Sequence, residues 1–532
     1  MLFRTLPFLL LAACSFGAEA IVTAKNARVR ATGGARDDCW NLWDTGGCFG
    51  DWFVARTPGK TTITIRAAGE PAQKVWPIGE VWLIVPGKPD VRLGRFTAKT
   101  STFEDYTFDL TAPEGAFSIQ VGFTNDFLSS DKKEDRNLLI QQIRVDGAAL
   151  APKIPVVTLD TAGDIRKNRM GTLTIQTRPG AAVTVTQLEH EFWFGTCIAR
   201  SMFREMDSPD TKKYLEVLKA NFNSVVHENA LKWYGTGKEP HGEDYSDADR
   251  MTDWCLKNGL RVRGHCVYWG IERYVQGWVK ALDDDALRAA LEKRGKAVPR
   301  HFKGRIGEYD VNNEMMHGDY YAKRLGKGIT VDMFRWVGEG DPSAILYVND
   351  YGILQSGGEA YAKHIQGLLD QGVKVGGIGI QGHCGKSIRP ERVKATLDRL
   401  GRFGLPIKIT EFDMNTKDEE AKARGLEALY RVCFAHPAVE GVLMWGFWAG
   451  RHWRPDAAPW QKDWTPTPAA EVYRKLVYDE WWTRFEGKAD AQGRCEVPVF
   501  FGRHKVTAGG KTLEVALGRK EGKKHVRMGG TR

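Results

Sequence analysis

Ile306-Gly307-Glu308-Tyr309-Asp310-Val311-Asn312-Asn313-Glu314 is the stretch on which the fold turns. Residues 306–312 read as a short strand that runs straight into two amides and a carboxylate. Seven comparable runs accompany it, at 192–196, 222–226, 260–267, 344–349, 373–381, 406–410 and 439–445. Amphipathic helical segments fit between them. One, at 247–258, carries Met251, Trp254 and Cys255 on its apolar side; Ser246 reads as its N-cap, Asp249 as the capping-box partner and Gly259 as its stop. Eight strand and helix pairs over roughly 290 residues predict an α/β fold, a (β/α)8 TIM barrel at 191–485 whose functional groups gather at the C-terminal strand ends.

Working outward, residues 21–150 alternate apolar and polar positions between Gly, Pro and Asp turns, which predicts an N-terminal β-sandwich. Residues 151–190 read as a linker and a small β extension, and 486–532 as a further β extension with a basic tail whose last fourteen residues look like a solvated end. Residues 1–20 hold Arg4, an apolar run and then small residues, the pattern of a secretory signal. Two processing sites compete there: Ala18-Glu19-Ala20 for simple release, and Leu11-Ala12-Ala13-Cys14 for a lipoprotein anchored through Cys14. The chain is therefore expected to be secreted or periplasmic, and no stretch is apolar enough for a transmembrane helix.

The 532 residues are 42% hydrophobic and 27% charged, which excludes a disordered chain. A net charge of +10 raises nucleic acid as a partner. Residues 502–532, however, hold nine Lys/Arg against two Glu, so +7 of the +10 lies there and the body is nearly neutral. No nucleic-acid partner is expected, and the chain reads as a monomer. The 18 tryptophans are more telling, because flat aromatic faces pack on sugar rings as well as in cores. Cys39 and Cys48 are spaced to clip a loop, while the other cysteines are scattered without a CxxC pair, against a zinc site.

Strands two to eight of the barrel carry motifs at or near their ends, mostly polar: His227-Glu228-Asn229, Arg263-Gly264-His265, Asn312-Asn313-Glu314, Asn349-Asp350, Gln381-Gly382-His383, Glu411-Phe412-Asp413 and Trp445-Gly446. Carboxylates directly after buried strands need a reason, since burying an unpaired charge costs several kcal/mol. Glu314 and Glu411, on strands four and seven, would face each other across the barrel mouth. Two opposed carboxylates are what a glycosidase uses.

These motifs, with Glu228-Asn229-Ala230-Leu231-Lys232-Trp233, Leu346-Tyr347-Val348-Asn349-Asp350-Tyr351 and Ile409-Thr410-Glu411-Phe412-Asp413, resemble glycoside hydrolase family 10, mostly retaining endo-1,4-β-xylanases. The resemblance implies Glu411 as nucleophile and Glu314 as acid/base, about 5–5.5 Å apart. It implies His383 as the hydrogen-bond partner of Glu411, oriented by Asp413, and Asn313 at the sugar 2-hydroxyl. It also implies Glu228, Asn229, Lys232, His265 and Trp269 in the non-reducing-side subsites, with Trp445 and Trp453 walling the cleavage point. Trp233 reads as core. No cofactor is implied for catalysis, and the partner is xylan or xylo-oligosaccharides. Gly270 and Glu272 depart from the family pattern, and the stretch 445–453 is unusually bulky. Another β-1,4-linked backbone and a non-catalytic carbohydrate-binding protein are therefore the competing readings. In the N-terminal region, Trp40-Asn41-Leu42-Trp43, Phe123-Thr124-Asn125-Asp126 and Glu134-Asp135-Arg136-Asn137-Leu138 resemble the calcium-dependent xylan-binding modules of carbohydrate-binding families 36 and 60. That resemblance implies Ca2+ held by Asp126 and Asp135.

Overall fold

Ile407–Met414 is buried at every position. A strand covered on both faces is the signature of a parallel sheet wrapped by helices. In the computed structural model of the chain, which describes residues 20–529 except 31–32, 44–47, 87, 89, 130–132, 154–158, 238–241 and 386, this strand is the seventh of eight around a barrel. We number them β1 (Trp193–Ile198), β2 (Ser224–His227), β3 (Arg261–Arg263), β4 (Glu308–Asn313), β5 (Ile345–Asp350), β6 (Gly377–Ile380), β7 (Ile407–Met414) and β8 (Val439–Met444). The sheet runs β3-β2-β1-β8-β7-β6-β5-β4 with every pairing parallel. Gly264, just past β3, closes the ring by exchanging backbone hydrogen bonds with Glu308 and Asp310 of β4, and the short strand Tyr268–Trp269 continues that pairing. All eight predicted strands are present.

Local chemistry fixes the helices between them. Ser208 caps Pro209–Asn221 by accepting from Thr211 N at 3.1 Å, and proline occupies the first turn, where its missing N–H costs nothing. Asp283 and Asp418 cap Asp284–His301 and Glu419–Ala435 in the same way. The expected capping box at Ser246 does not form. The helix Ser246–Lys257 already includes Ser246, its start has no side-chain cap, and Asp249 is instead taken by His301 at 2.8 Å and Arg305 at 2.8 Å. Gly259, at φ +76, does end it.

The chain divides into two compact units, one through Val157 and one from Thr158 onward. The first is a β-sandwich. One sheet orders Gly34–Arg36, Cys39–Leu42, Asp135–Val145, Gly59–Glu70 and Glu104–Ala112; the other orders Ala148–Leu150, Cys48–Ala55, Ala116–Phe123, Ile78–Ile84 and Val91–Thr97. Leu42, Phe49, Phe53, Ile65, Val121 and Ile143 are among the side chains buried between them. Cys39 and Cys48 begin strands of opposite sheets and no disulfide joins them, so the expected loop clip is absent. The Cys39 thiol instead turns onto the carbonyl of Arg36 and packs with Ala68 and Leu139.

The second unit carries, besides the barrel, a small β lobe built from 170–190 and 484–527. Met170–Gln176 pairs Arg494–Phe500, and Ala182–His190 pairs Arg484–Lys488 and Gly502–Ala508. The solvated end expected at the C-terminus is overturned there. Lys523–Arg527 is a strand parallel to Thr172–Gln176, with Val526 and Met528 buried in the lobe core. The leader expected at 1–20, including Cys14, lies outside the described residues except for Ala20, as do residues 530–532 of the tail.

Candidate active site

β4 ends in Asn312 and Asn313, and the next residue, Glu314, takes φ +63, a left-handed conformation uncommon outside glycine. Its amide donates to the carbonyl of Asn349 at the end of β5 at 2.9 Å. The strained turn leaves the Glu314 carboxyl between two donors from other strands. Trp269 Nε1 donates to Oε2 at 2.9 Å, and Gln381 Nε2 to Oε1 at 2.8 Å.

Glu411, on β7, is 4% exposed. Its Oε1 accepts from Asn349 Nδ2 at 2.9 Å and lies 3.9 Å from His265 Nδ1; its Oε2 faces His383 Nε2 at 3.3 Å. Burial alone would raise this carboxyl, but His265, His383 and Lys232 outweigh it and hold Glu411 down at about 2. Each histidine is backed by its own aspartate: His265 Nδ1 lies 2.9 Å from Asp310 Oδ2, and His383 Nδ1 lies 3.0 Å from Asp413 Oδ2. Burial lowers His383, yet Asp413 and Glu411 together raise it to about 9. Asn349 Nδ2 also donates to Asn313 Oδ1 at 2.9 Å, so one amide ties the end of β4 to Glu411.

Below this layer the barrel interior is ionic. Arg263 donates to Glu308 at 2.7 Å and to Asp310, and Lys408 donates to Glu308. Two cations meet two carboxylates, all nearly wholly buried, as burial of charge requires. This floor holds Asp310 and, through it, His265.

Aromatic rings flank the pair. Lys232 Nζ sits 4.6 Å from the Trp269 ring and 5.7 Å from the Trp445 ring, and donates to Asn229 Oδ1 at 3.1 Å. Tyr234 donates to the same Asn229 oxygen at 2.8 Å, and Tyr274 stacks on Trp269 at 3.9 Å. Glu228, which follows β2, is raised by burial against the pull of Lys232. The Trp445 ring meets His265 edge-on at 5.1 Å. Trp453, half exposed, donates to Asp413 Oδ2 at 2.7 Å and leans on His383 at 5.0 Å, while Arg454 covers its ring at 4.0 Å. His452, pushed down to about 4 by burial, accepts from the Arg454 amide and braces the same loop. Trp233 is buried edge-on against Trp278, a core position.

The structure thus gathers Glu314, Glu411, Asn313, His265, His383, Asp413, Lys232, Asn229, Trp269, Trp445 and Trp453 around one barrel mouth. Asn349, Gln381 and Asp310 belong to the same network and were not singled out from the sequence, although each lies inside a motif quoted above. Asp126 and Asp135 lie in the N-terminal unit, at a hairpin where Phe127 pairs Arg136. Asn137 Nδ2 joins Asp135 to Glu70 at 3.1 and 3.0 Å. Among the described residues no group of three or more His, Cys, Asp or Glu stands where it could hold a metal ion. Asp126 and Asp135 therefore do not by themselves supply the roughly six to eight oxygens of a calcium shell.

Residues 185–476, more than half of the chain, match the family model of glycosyl hydrolase family 10. The chain belongs to glycosyl hydrolase family 10. Residues 62–160 match a second family model, a Ca-dependent, xylan-binding carbohydrate-binding module, CBM60. Among curated relatives of the family-10 chain, endo-1,4-beta-xylanase 1 of Arabidopsis thaliana is 42% identical over 274 residues, 51% of this chain and 28% of its own length. The anti-sigma-I factor RsgI6 of Acetivibrio thermocellus is 38% identical over 328 residues, 62% of this chain and 42% of its own. The chain thus spans less than half the length of these relatives. Among solved structures, xylanase 10B of Thermotoga petrophila RKU-1 in complex with xylobiose superposes with a TM-score of 0.51 at 26% identity, covering 55% of this chain and 95% of that one.

Proposed function

We propose that this family-10 chain is a retaining endo-1,4-β-xylanase in which Glu411 is the nucleophile and Glu314 the acid/base. The observation that carries the assignment is the contrast between the two carboxyls. Glu411 is buried and held ionised between two histidines, each with its own aspartate. Glu314, by contrast, is met by two neutral donors, Trp269 and Gln381.

In the first step a Glu411 oxygen attacks the anomeric carbon while the Glu314 proton passes to the departing glycosidic oxygen. In the second, Glu314, now ionised, takes a proton from water, the water oxygen bonds the anomeric carbon, and the bond to Glu411 breaks. Asn349 orients Glu411 and Asn313 together, and Asn313 is the group assigned to the sugar 2-hydroxyl. Lys232, Asn229 and Glu228, with the Trp269 face, bind the sugar on the non-reducing side; Trp445 and Trp453 wall the cleavage point.

The N-terminal unit is read as a calcium-dependent xylan binder, supported by its match over 62–160 and by the hard carboxylate oxygens of Asp126 and Asp135. Export through the apolar leader at 1–20 completes the reading of an enzyme that meets its polymer outside the cytoplasm.

The test is Glu411→Gln assayed on xylan and on linear β-glucan. Turnover on xylan should fall by roughly 10⁴-fold or more while binding to insoluble xylan persists. Substantial residual turnover would remove Glu411 from the nucleophile role. A wild-type chain that releases reducing ends from glucan but not from xylan would move the reading to another β-1,4 backbone, and one inert on both would make it a binding protein.

A further inference from the structure

The turn that carries Glu314 is tied down by a second carboxylate, that of Asp350 at the end of β5. Asp350 is 1% exposed, and its carboxylate is held by the two loops that follow β4 and β5. Its Oδ2 accepts from the amide of Met316 at 2.9 Å; its Oδ1 accepts from the amide of Tyr351 at 2.9 Å and meets His317 Nδ1 at 2.6 Å. The His317 amide in turn donates to the carbonyl of Glu314 at 3.1 Å. A carboxylate oxygen accepts, so at this contact His317 Nδ1 donates to Asp350.

The imidazole does a second thing. It lies flat on the Tyr351 ring, with centroids 3.5 Å apart and planes 15° from parallel. One face of Tyr351 is covered in this way, and the residue is nonetheless 38% exposed. Burial and the charges of Glu314 and Asp350 push the Tyr351 hydroxyl upward, which places it in the field of the Glu314 carboxyl. An aromatic ring with one face pinned, still partly exposed and in the field of the Glu314 carboxyl, offers a platform for the sugar that leaves.

We propose that His317 is a positioning residue for the leaving-group side of the site, holding the plane of Tyr351 by stacking and the Glu314 turn through Asp350. The inference rests on the reading of Glu314 as acid/base and extends it to how the departing sugar is aligned with that acid. Both jobs need an imidazole. A phenyl ring would stack without donating to Asp350, and an amide would donate without stacking.

The proposal is tested with His317→Phe and His317→Asn in the full chain, on two substrates. Linear xylohexaose needs both a proton for its leaving oxygen and a xylosyl ring on the leaving side. An aryl β-xylobioside with an activated phenol needs neither, and its turnover also reports that the variant is folded. Relative to wild type, kcat/KM on xylohexaose should fall about tenfold for His317→Asn and about threefold for His317→Phe, with the aryl substrate within about twofold for both. Equal losses on the two substrates, or no loss on xylohexaose, would overturn the proposal. A wild-type chain inert on both substrates would sink the acid/base reading, and this inference with it.

Discussion

His383 Nε2 faces Glu411 Oε2 at 3.3 Å while the other ring nitrogen is held by Asp413, so the imidazole stands between two carboxylates and carries a charge that both favour. The arrangement couples the electrostatics of Glu411 to the protonation of one histidine.

A stability profile follows from that coupling. His383 rises from 6.5 to about 9 in the folded chain, so its contribution is complete below about pH 6.5 and is lost as pH climbs through 9. Glu411 falls from 4.5 to about 2, so its contribution is complete above about pH 4.5 and is lost as pH drops toward 2. The thermal midpoint of the barrel should peak between those limits. His383→Gln should flatten the decline between pH 6.5 and 9 and, because His383 helps hold Glu411 down, also weaken the acid limb, read by calorimetry across pH.

Glu314→Gln separates the acid from the nucleophile. Loss of general acid catalysis should lower turnover on xylan by about 10²–10⁴-fold. An aryl xylobioside with a good leaving group should still form the glycosyl-enzyme and then stall, giving a burst. Added azide, which needs no base, should restore its turnover and yield a glycosyl azide. A variant without burst or rescue would remove Glu314 from the role.

The barrel was legible because a strand buried on both faces leaves an unbroken apolar run, and eight such runs recur between helical segments. The failures are tertiary. Ser246 and Asp249 have the spacing of a capping box, but His301 and Arg305, some fifty residues on, compete for Asp249 and win. The C-terminal lysines disguise a strand whose one buried position is Val526, with Met528 buried just beyond it, too few to show a period. In the site, a carboxylate after an apolar run draws attention because burying charge is costly. Asn349 and Gln381 carry no such signal. Their importance lies in contacts between β4, β5, β6 and β7 that exist only once the ring closes.

Arg263 is wholly buried and serves two carboxylates, Glu308 and Asp310. Arg263→Met would leave Asp310 without its cation and Glu308 with Lys408 alone. Removing one partner of a buried ion pair costs about 3–5 kcal/mol. Urea unfolding followed by tryptophan fluorescence should show a loss of that order for the barrel transition. A loss below about 1 kcal/mol would mean that water or a shifted protonation state replaces the guanidinium. His265 should loosen in the same variant, because Asp310 is its anchor, so xylan turnover at a temperature where the variant stays folded should fall as well.

Calcium is the remaining lever, and on the proposed reading it acts on a different unit from the chemistry. With turnover removed by Glu411→Gln, retention on insoluble xylan measures binding alone. EDTA should weaken that retention by about tenfold or more, and added Ca2+ should restore it where Mg2+ does not, since Mg2+ demands a smaller octahedral oxygen shell. Asp135→Ala and Asp126→Ala should each reproduce the effect of EDTA and make the variant insensitive to further chelation. Wild-type hydrolysis of short xylo-oligosaccharides should be indifferent to EDTA, because the catalytic groups we assign are carboxylates, histidines and amides of the barrel. Retention that survives EDTA would withdraw calcium from the N-terminal unit. Retention that falls with EDTA but not with either aspartate variant would keep the metal and reassign its ligands.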